Sequence, residues 1–328
     1  MMRMSRREWM ASAAALAAPG IARGQEQEFV FGLPSTSLGA AMPRLTQELG
    51  LYARHGLKVR LPVLESAAVA ATALVSGAVK VIQAGPAELI AAQDKGQKIV
   101  ALGIAYAGLA QSLVLSKTAA AKVGVAPEAP LAERMKALEG LLIATTSATA
   151  SATAALKLTA KKLGGVSVRF TYLPQPNFAL ALERGAIDGY IGSAPYSTFG
   201  VVRGLGVMWM NGPAGEAPRE FTPANAGIIM AMRSFSEENA DLIRRLRAAY
   251  ADFTAMVEGR PAEVKEAIRK LHPDLDQQAL DYFYASESRS WRFQPVTAEM
   301  MAHELHFVRE SGMNLTNGDK LDPAAMIL

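Results

Sequence analysis

Hydroxyl, amide and small side chains recur in this 328-residue chain wherever an apolar run gives way to a helix. Ser35, Thr36 and Ser37 form one such group, and Ser66 behind Glu65 a second. Gly85, Pro86 and Ala87 follow, then Thr146, Ser147 and Thr149. The set closes with Gln175 to Asn177 and with Ser193, Pro195 and Tyr196. None of these groups contains an arginine or lysine. What they offer is capture. Unpaired N–H donors at helix starts, backed by the positive end of the dipole, hold a carboxylate or sulfonate without a cationic side chain. The same serines and threonines are ordinary helix caps, each worth about 1 kcal/mol; their concentration on one edge favours a site. Glu65 has the opposite sense: it can accept from an amine or a heteroaromatic N–H, or complement the dipole of its own helix. Tyr196 is placed to stack on a planar solute, whereas Tyr106, Phe178 and Trp209 are aromatic candidates whose usual place is a core.

Other chemistries find little support. No cysteine occurs, which removes disulfides, thiolate metal sites and cysteine nucleophiles. Glu299, His303 and His306 share a predicted helix face, but three ligands from one helix make a poor closed metal site. His55 precedes the helix-ending Gly56 and reads as a cap. Gly204-Leu205-Gly206 lacks the third glycine and the preceding strand of a dinucleotide fingerprint, and neither a nucleophile elbow nor a Walker loop is present. The expectation is a protein that binds, without cofactor or metal, and is not an enzyme.

The elements that must position these residues are written twice. Leu74-Val-Ser-Gly77-Ala-Val79, leading to Gly85-Pro86-Ala87, is echoed by Leu182-Glu-Arg-Gly185-Ala-Ile187, leading to Ser193-Ala194-Pro195, at a constant offset of 108 residues. Each copy reads as a helix end, a glycine stop, a short apolar strand and a small-residue loop opening another helix. Strand and helix alternate through both halves, from Phe29–Leu33 to Ile99–Ala105 and from Leu141–Ala144 to Val207–Met210. That alternation predicts an α/β fold of two lobes, each with a mostly parallel sheet covered on both faces. Leu113-Val-Leu115 and Ile228-Ile-Met230 read as the strands by which the chain leaves the first lobe and returns. The expected boundaries are 25–110 with 225–328 for a discontinuous first lobe, its extra C-terminal helices included, and 111–224 for the second. In open α/β sheets ligands sit beyond the carboxyl ends of strands, which selects the groups above.

The order of these pieces resembles the solute-binding proteins of ABC importers in the nitrate/sulfonate/taurine and thiamine-pyrimidine-precursor group. The resemblance rests on Phe31-Gly-Leu33-Pro-Ser35, on Tyr52-Ala-Arg-His-Gly56-Leu57-Lys-Val59, on the two repeat copies, on Leu138-Glu-Gly140-Leu-Leu-Ile143, and on Ser193-Ala-Pro195-Tyr196. It implies a two-lobed type II periplasmic binding fold, a small-molecule ligand, and a permease and ATPase complex in the inner membrane as partner. The implied ligand is a small sulfonate, carboxylate or aromatic acid, with a thiamine-precursor pyrimidine or similar heteroaromatic as the alternative. Thiamine-pyrimidine synthases share the fold, but that enzyme family depends on a cysteine-rich motif, which is lacking here. Two departures matter. Ala148-Thr149-Ala150, where a long helix running to Gly164-Gly165 reads as starting, stands where relatives often carry Pro-Gly-Ser and touches the ligand loop. Lys80 stands where an aspartate is common.

Residues 1–24 read as an export signal. Ser5-Arg6-Arg7 precedes a weakly apolar, alanine-rich run ending at Pro19-Gly20, a twin-arginine-like pattern with Trp9 as an unusual member. The run is too short to span a bilayer, which needs about twenty residues. The formal net charge is +4, but the signal holds four arginines and one glutamate; the mature chain is left at +1, with no case for nucleic-acid binding. Without a cysteine for lipid attachment, the expected product is a monomer free in the periplasm.

Overall fold

The computed structural model describes residues 27–328. The export-signal expectation falls on 1–24, outside the described residues. Strands numbered along the chain build two five-stranded sheets. The first contains β1 (Gln27–Gly32), β2 (Leu57–Arg60), β3 (Val81–Ala84), β4 (Ile99–Ala107) and the returning strand at Asn225–Met232. The second contains β5 (Gln111–Ser116), β6 (Leu142–Thr145), β7 (Arg169–Tyr172), β8 (Gly189–Ser193) and β9 (Gly206–Met210); the returning strand is thus β10. Their orders, β2-β1-β3-β10-β4 and β7-β6-β8-β5-β9, follow one plan. The sequence repeat falls on β3 and β8, the corresponding strands of the two sheets. Its glycine stops, Gly77 and Gly185, both take positive φ, the left-handed geometry that ends a helix cheaply only at glycine.

Both sheets are mixed. β5 runs antiparallel to β8 and β9, and β10 antiparallel to β3 and β4, while β1–β2, β1–β3, β6–β7 and β6–β8 are parallel. The expected mostly parallel sheets are present, with one strand in each, β10 or β5, running against the other four. The carboxyl ends of the parallel strands in both sheets border the cleft, so a strand arriving from the other lobe enters at that edge and must run against them. Gln111, the first residue of β5, accordingly pairs with Ser193, the last of β8. The two crossings are tied together where Gly108 N–H donates to Ala224 O at 2.8 Å. Pro62 marks the end of the edge strand β2, as a residue without an N–H should.

Apolar periodicity decides the covering. Leu242, Ile243, Leu246, Ala249, Tyr250 and Phe253 lie on one stripe of the helix Ala240–Gly259. They pack on Phe29, Phe31, Val81 and Val100 of the first sheet; each such side chain removed from water contributes about 1.5–3 kcal/mol. The other face carries Leu89, Leu305 and Val308 in a core shared with Leu113, Ile143 and Leu156 of the second lobe. The C-terminal helix Ala298–Glu310 therefore touches both lobes, and Lys162 Nζ donates to Glu310 at 2.7 Å across the junction. Phe178 and Leu182 cover the far face of the second sheet against Tyr190 and Val114. Two short helices at Lys117–Val123 and Arg233–Glu238 follow β5 and β10 directly, where the sequence pattern had none. The long second-lobe helix expected from Ala148 starts instead at Ser151. Among the described residues no helix is long and apolar enough to cross a membrane.

Candidate functional site

A cavity of about 70 Å³ lies between the two sheets, room for roughly five water molecules or a solute of similar size. From the first lobe come Ser35, Ser37, Ser66, Gln83, Gly85 and Glu88. The second lobe supplies Gln111, Thr145, Thr146, Ser151, Gln175 and Ser193, and Gly227 of β10 completes the wall. Among the described residues no lysine or arginine lines it. Seven of the sequence candidates therefore meet here: Ser35, Ser37, Ser66, Gly85, Thr146, Gln175 and Ser193.

Local bonds fix their orientation. Ser35 Oγ and Ser37 Oγ lie 2.8 Å apart, and Ser35 Oγ also accepts from Ser37 N–H at 3.3 Å. Ser66 Oγ accepts from Val69 N–H, so this serine caps its helix and borders the cavity at once. Gln175 Oε1 accepts from Ser193 N–H at 2.8 Å, which turns its amide N–H₂ away from that bond. Gln83 Nε2 donates to Gly39 O at 2.8 Å, leaving Oε1 without a partner. Gln111 Oε1, Glu88 Oε2 and Ser151 Oγ are likewise buried and unpartnered. Thr145 Oγ1 lies 2.9 Å from Thr153 Oγ1, which donates on to Ser147 O.

Three helices of nine residues begin at this edge, and they differ. The helix Ala67–Val75 is capped by Ser66. At Pro86–Asp94 the N–H of Gly85 is taken by the carboxyl of Glu88, and Pro86 has none to give. The donors expected at Gly85–Ala87 are therefore largely spent, and Pro86 and Ala87 stand behind the wall rather than in it. The helix Ser151–Thr159 has no side-chain cap, and Ala150, Ser151 and Ala152 all border the cavity. With no side chain to take its first N–H groups, this start has the arrangement that favours an anion. Burial pushes the Glu88 carboxyl up to about 8, against the lowering effect of its backbone bonds and of Thr149 Oγ1.

The remaining candidates lie elsewhere. Thr36 Oγ1 and the Tyr196 hydroxyl hydrogen-bond to each other beside the cavity, and Leu38 N–H donates to Ala194 O at 2.6 Å. This strap joins the lobes, and Tyr196 packs edge-on against Phe199 rather than facing a solute. Pro195 is buried at the start of that short helix. Glu65 is exposed, its φ of +67° swinging the side chain outward one residue ahead of the cap, outside the first helical turn. Asn177 is exposed at the end of a tight turn, and its neighbour Gln175 takes the inward position. Ser147 and Thr149 form the loop before Ser151, with Thr149 Oγ1 reaching Glu88 at 3.5 Å. Tyr106 donates to Glu287 at 2.6 Å, Phe178 stacks on Tyr190, and Trp209 Nε1 donates to Arg134 O; all three are core. His303 Nε2 lies 3.2 Å from Thr222 O, while Glu299 and His306 are exposed.

Two mixed sheets of one plan, facing across a polar cavity, define the periplasmic-binding-protein fold. The chain belongs to the NMT1-like family, whose sequence profile matches residues 38–271. No curated protein matches it in sequence. Among solved structures it is similar to the alkanesulfonate-binding protein SsuA from Xanthomonas axonopodis pv. citri bound to MOPS: TM-score 0.73, 15% identity, covering 93% of this chain and 99% of that one. The periplasmic aliphatic sulphonate binding protein SsuA from Escherichia coli gives 0.67 at 18% identity, covering 92% of each chain. The periplasmic nitrate-binding protein NrtA from Synechocystis PCC 6803 gives 0.67 at 13% identity, covering 90% and 85%. These neighbours are solute-binding receptors, and at such identities the likeness is one of fold.

Proposed function

We propose that this chain is a periplasmic receptor of an ABC importer that captures one small organic anion between its lobes and turns nothing over. The observation that carries the reading is the uncapped start of Ser151–Thr159, opening onto a cavity ringed by hydroxyls and amides from both lobes. Residues 25–110 with 225–328 would close on 111–224 around the solute. Contacts from both sides favour the closed state, and that is the form a permease would recognise. The size of the cavity favours solutes of about four to six non-hydrogen atoms, methanesulfonate or acetate among them. Export through the 1–24 segment would place the receptor in the periplasm.

A second reading has one observation in its favour. Gln83 Oε1 and Gln111 Oε1 are unpartnered acceptors, which suit a ligand that donates N–H bonds, such as an aminated heteroaromatic. Thermal melting separates the two. A saturating anion at about a hundred times its dissociation constant should add about 2.7 kcal/mol of stability. A shift with heteroaromatic amines and none with anions would replace the first reading by the second.

A further inference from the structure

Two unpartnered polar groups from opposite lobes converge on Gly85. An ideal Cβ on that glycine would stand 3.0 Å from Glu88 Oε2 and would collide with Ser151 Oγ. Only a residue without a side chain lets the two approach. Glu88 is 3% and Ser151 5% exposed, and neither atom finds a hydrogen-bond partner within the protein. Ser151 is also the first residue of the helix whose N-terminus faces the cavity. An anion held there lies beside the Glu88 carboxyl, the one ionisable side chain of the wall.

We propose that Glu88 binds the solute as a neutral carboxylic acid, donating a hydrogen bond to the anion that Ser151 holds from the other lobe, so that ionised Glu88 rejects the ligand. This rests on the anion reading above and names the residue that makes it conditional on pH. A carboxylate at this place would repel the solute; a carboxylic acid adds a donor that a glutamine can imitate only in part. Burial supplies the neutral form, holding the carboxyl up at about 8. Charges on the surrounding elements are engaged elsewhere. Helix Ala67–Val75 and the Ser147–Thr149 loop bring none. Lys157 lies over the Phe170 ring, Glu304 faces Asn225, Arg309 reaches Gly318 and Asp319, and Glu310 pairs with Lys162. His303 meets Thr222, and Glu299 and His306 are exposed. On its own helix Asp94 is held by Thr316 and Asn317, and Lys95, just past the end, shares only an outer groove with Glu88.

The test uses the full protein with methanesulfonate as anion and methylammonium as cation, following calorimetric affinity at about pH 6.5 and about pH 9.5. With a carboxyl near 8, the neutral fraction at the higher pH is about 3%, so methanesulfonate should bind about 30-fold more weakly there. Glu88→Gln should bind it with less than about a threefold change between the two pH values, because the remaining buried carboxyls titrate in both proteins. Infrared spectra provide a readout without ligand: at about pH 6.5 a protonated-carboxyl band present in the wild type should be missing from Glu88→Gln. Equal anion affinity at both pH values, a pH dependence that survives in Glu88→Gln, no band difference, or binding of methylammonium that strengthens as pH rises would each overturn the proposal. No binding of methanesulfonate or acetate at either pH would refute the anion reading itself, and this proposal with it.

Discussion

Replacing Glu304 by glutamine tests how the junction between the lobes is held. This carboxyl, 1% exposed, accepts from Asn225 N–H at 3.0 Å, at the point where the chain re-enters the first sheet. Burial raises it from 4.5 to about 8, opposed by the backbone bonds to Asn225 and Ala224. The native state therefore keeps a proton that the unfolded chain surrenders near 4.5. Its contribution is fully present below about 4.5 and is lost as pH rises through about 8. At about 1.4 kcal/mol per pH unit, the share lost between about pH 6 and about pH 9 is about 3 kcal/mol. Glutamine retains an acceptor for Asn225 and gives the other position a donor, but it does not titrate. Urea unfolding at the two pH values should show the variant losing about 3 kcal/mol less than the wild type. Glu88 and Glu287, raised to about 8 and about 7, titrate in both proteins and cancel in the comparison. Equal losses in the two proteins would refute the assignment of a buried neutral Glu304.

Three further outcomes follow, two from the same geometry and one from the sequence. Gly85→Val places a side chain against Ser151 Oγ, so the lobes should fail to close; the melting shift with methanesulfonate should vanish while far-ultraviolet circular dichroism is unchanged. Tyr196→Phe removes the bond to Thr36 beside the cavity. Loss of one partly buried hydrogen bond, about 1 kcal/mol, should weaken anion affinity about fivefold by calorimetry, and an unchanged affinity would deny the strap a part in closure. Replacing Arg6 and Arg7 by lysine should abolish export as judged by periplasmic fractionation, and intact export would exclude the twin-arginine route.

Much of the cavity wall was legible because both lobes obey one rule, that small polar residues follow apolar strands at the cleft edge. Ser35, Ser37, Ser66, Gly85, Thr146 and Ser193 all obey it. Gln83 and Gln111 escaped because they lie inside strands β3 and β5, where a polar side chain reads as surface until the opposing lobe is in place. Ser151 was hidden by a helix start drawn at Ala148, just after Ser147, which reads as a cap; the loop runs three residues further. Glu88 reads as an ordinary first-turn glutamate, and only Thr149 and Ser151 from the second lobe enclose it. Glu65 stands outside the wall, exposed and at a positive φ, a backbone state that has no sequence signature at a non-glycine residue. The direction of β5 and β10 depends on where the chain crosses, which apolar content does not encode.

The most direct test of capture between the lobes is a crystal structure of the protein grown with methanesulfonate. Density for the anion should lie at the start of Ser151–Thr159, in contact with Ser35 or Gln83 from the first lobe and with Ser151 from the second. An anion bound to one lobe only, or a cavity occupied by solvent at saturating methanesulfonate, would contradict the account.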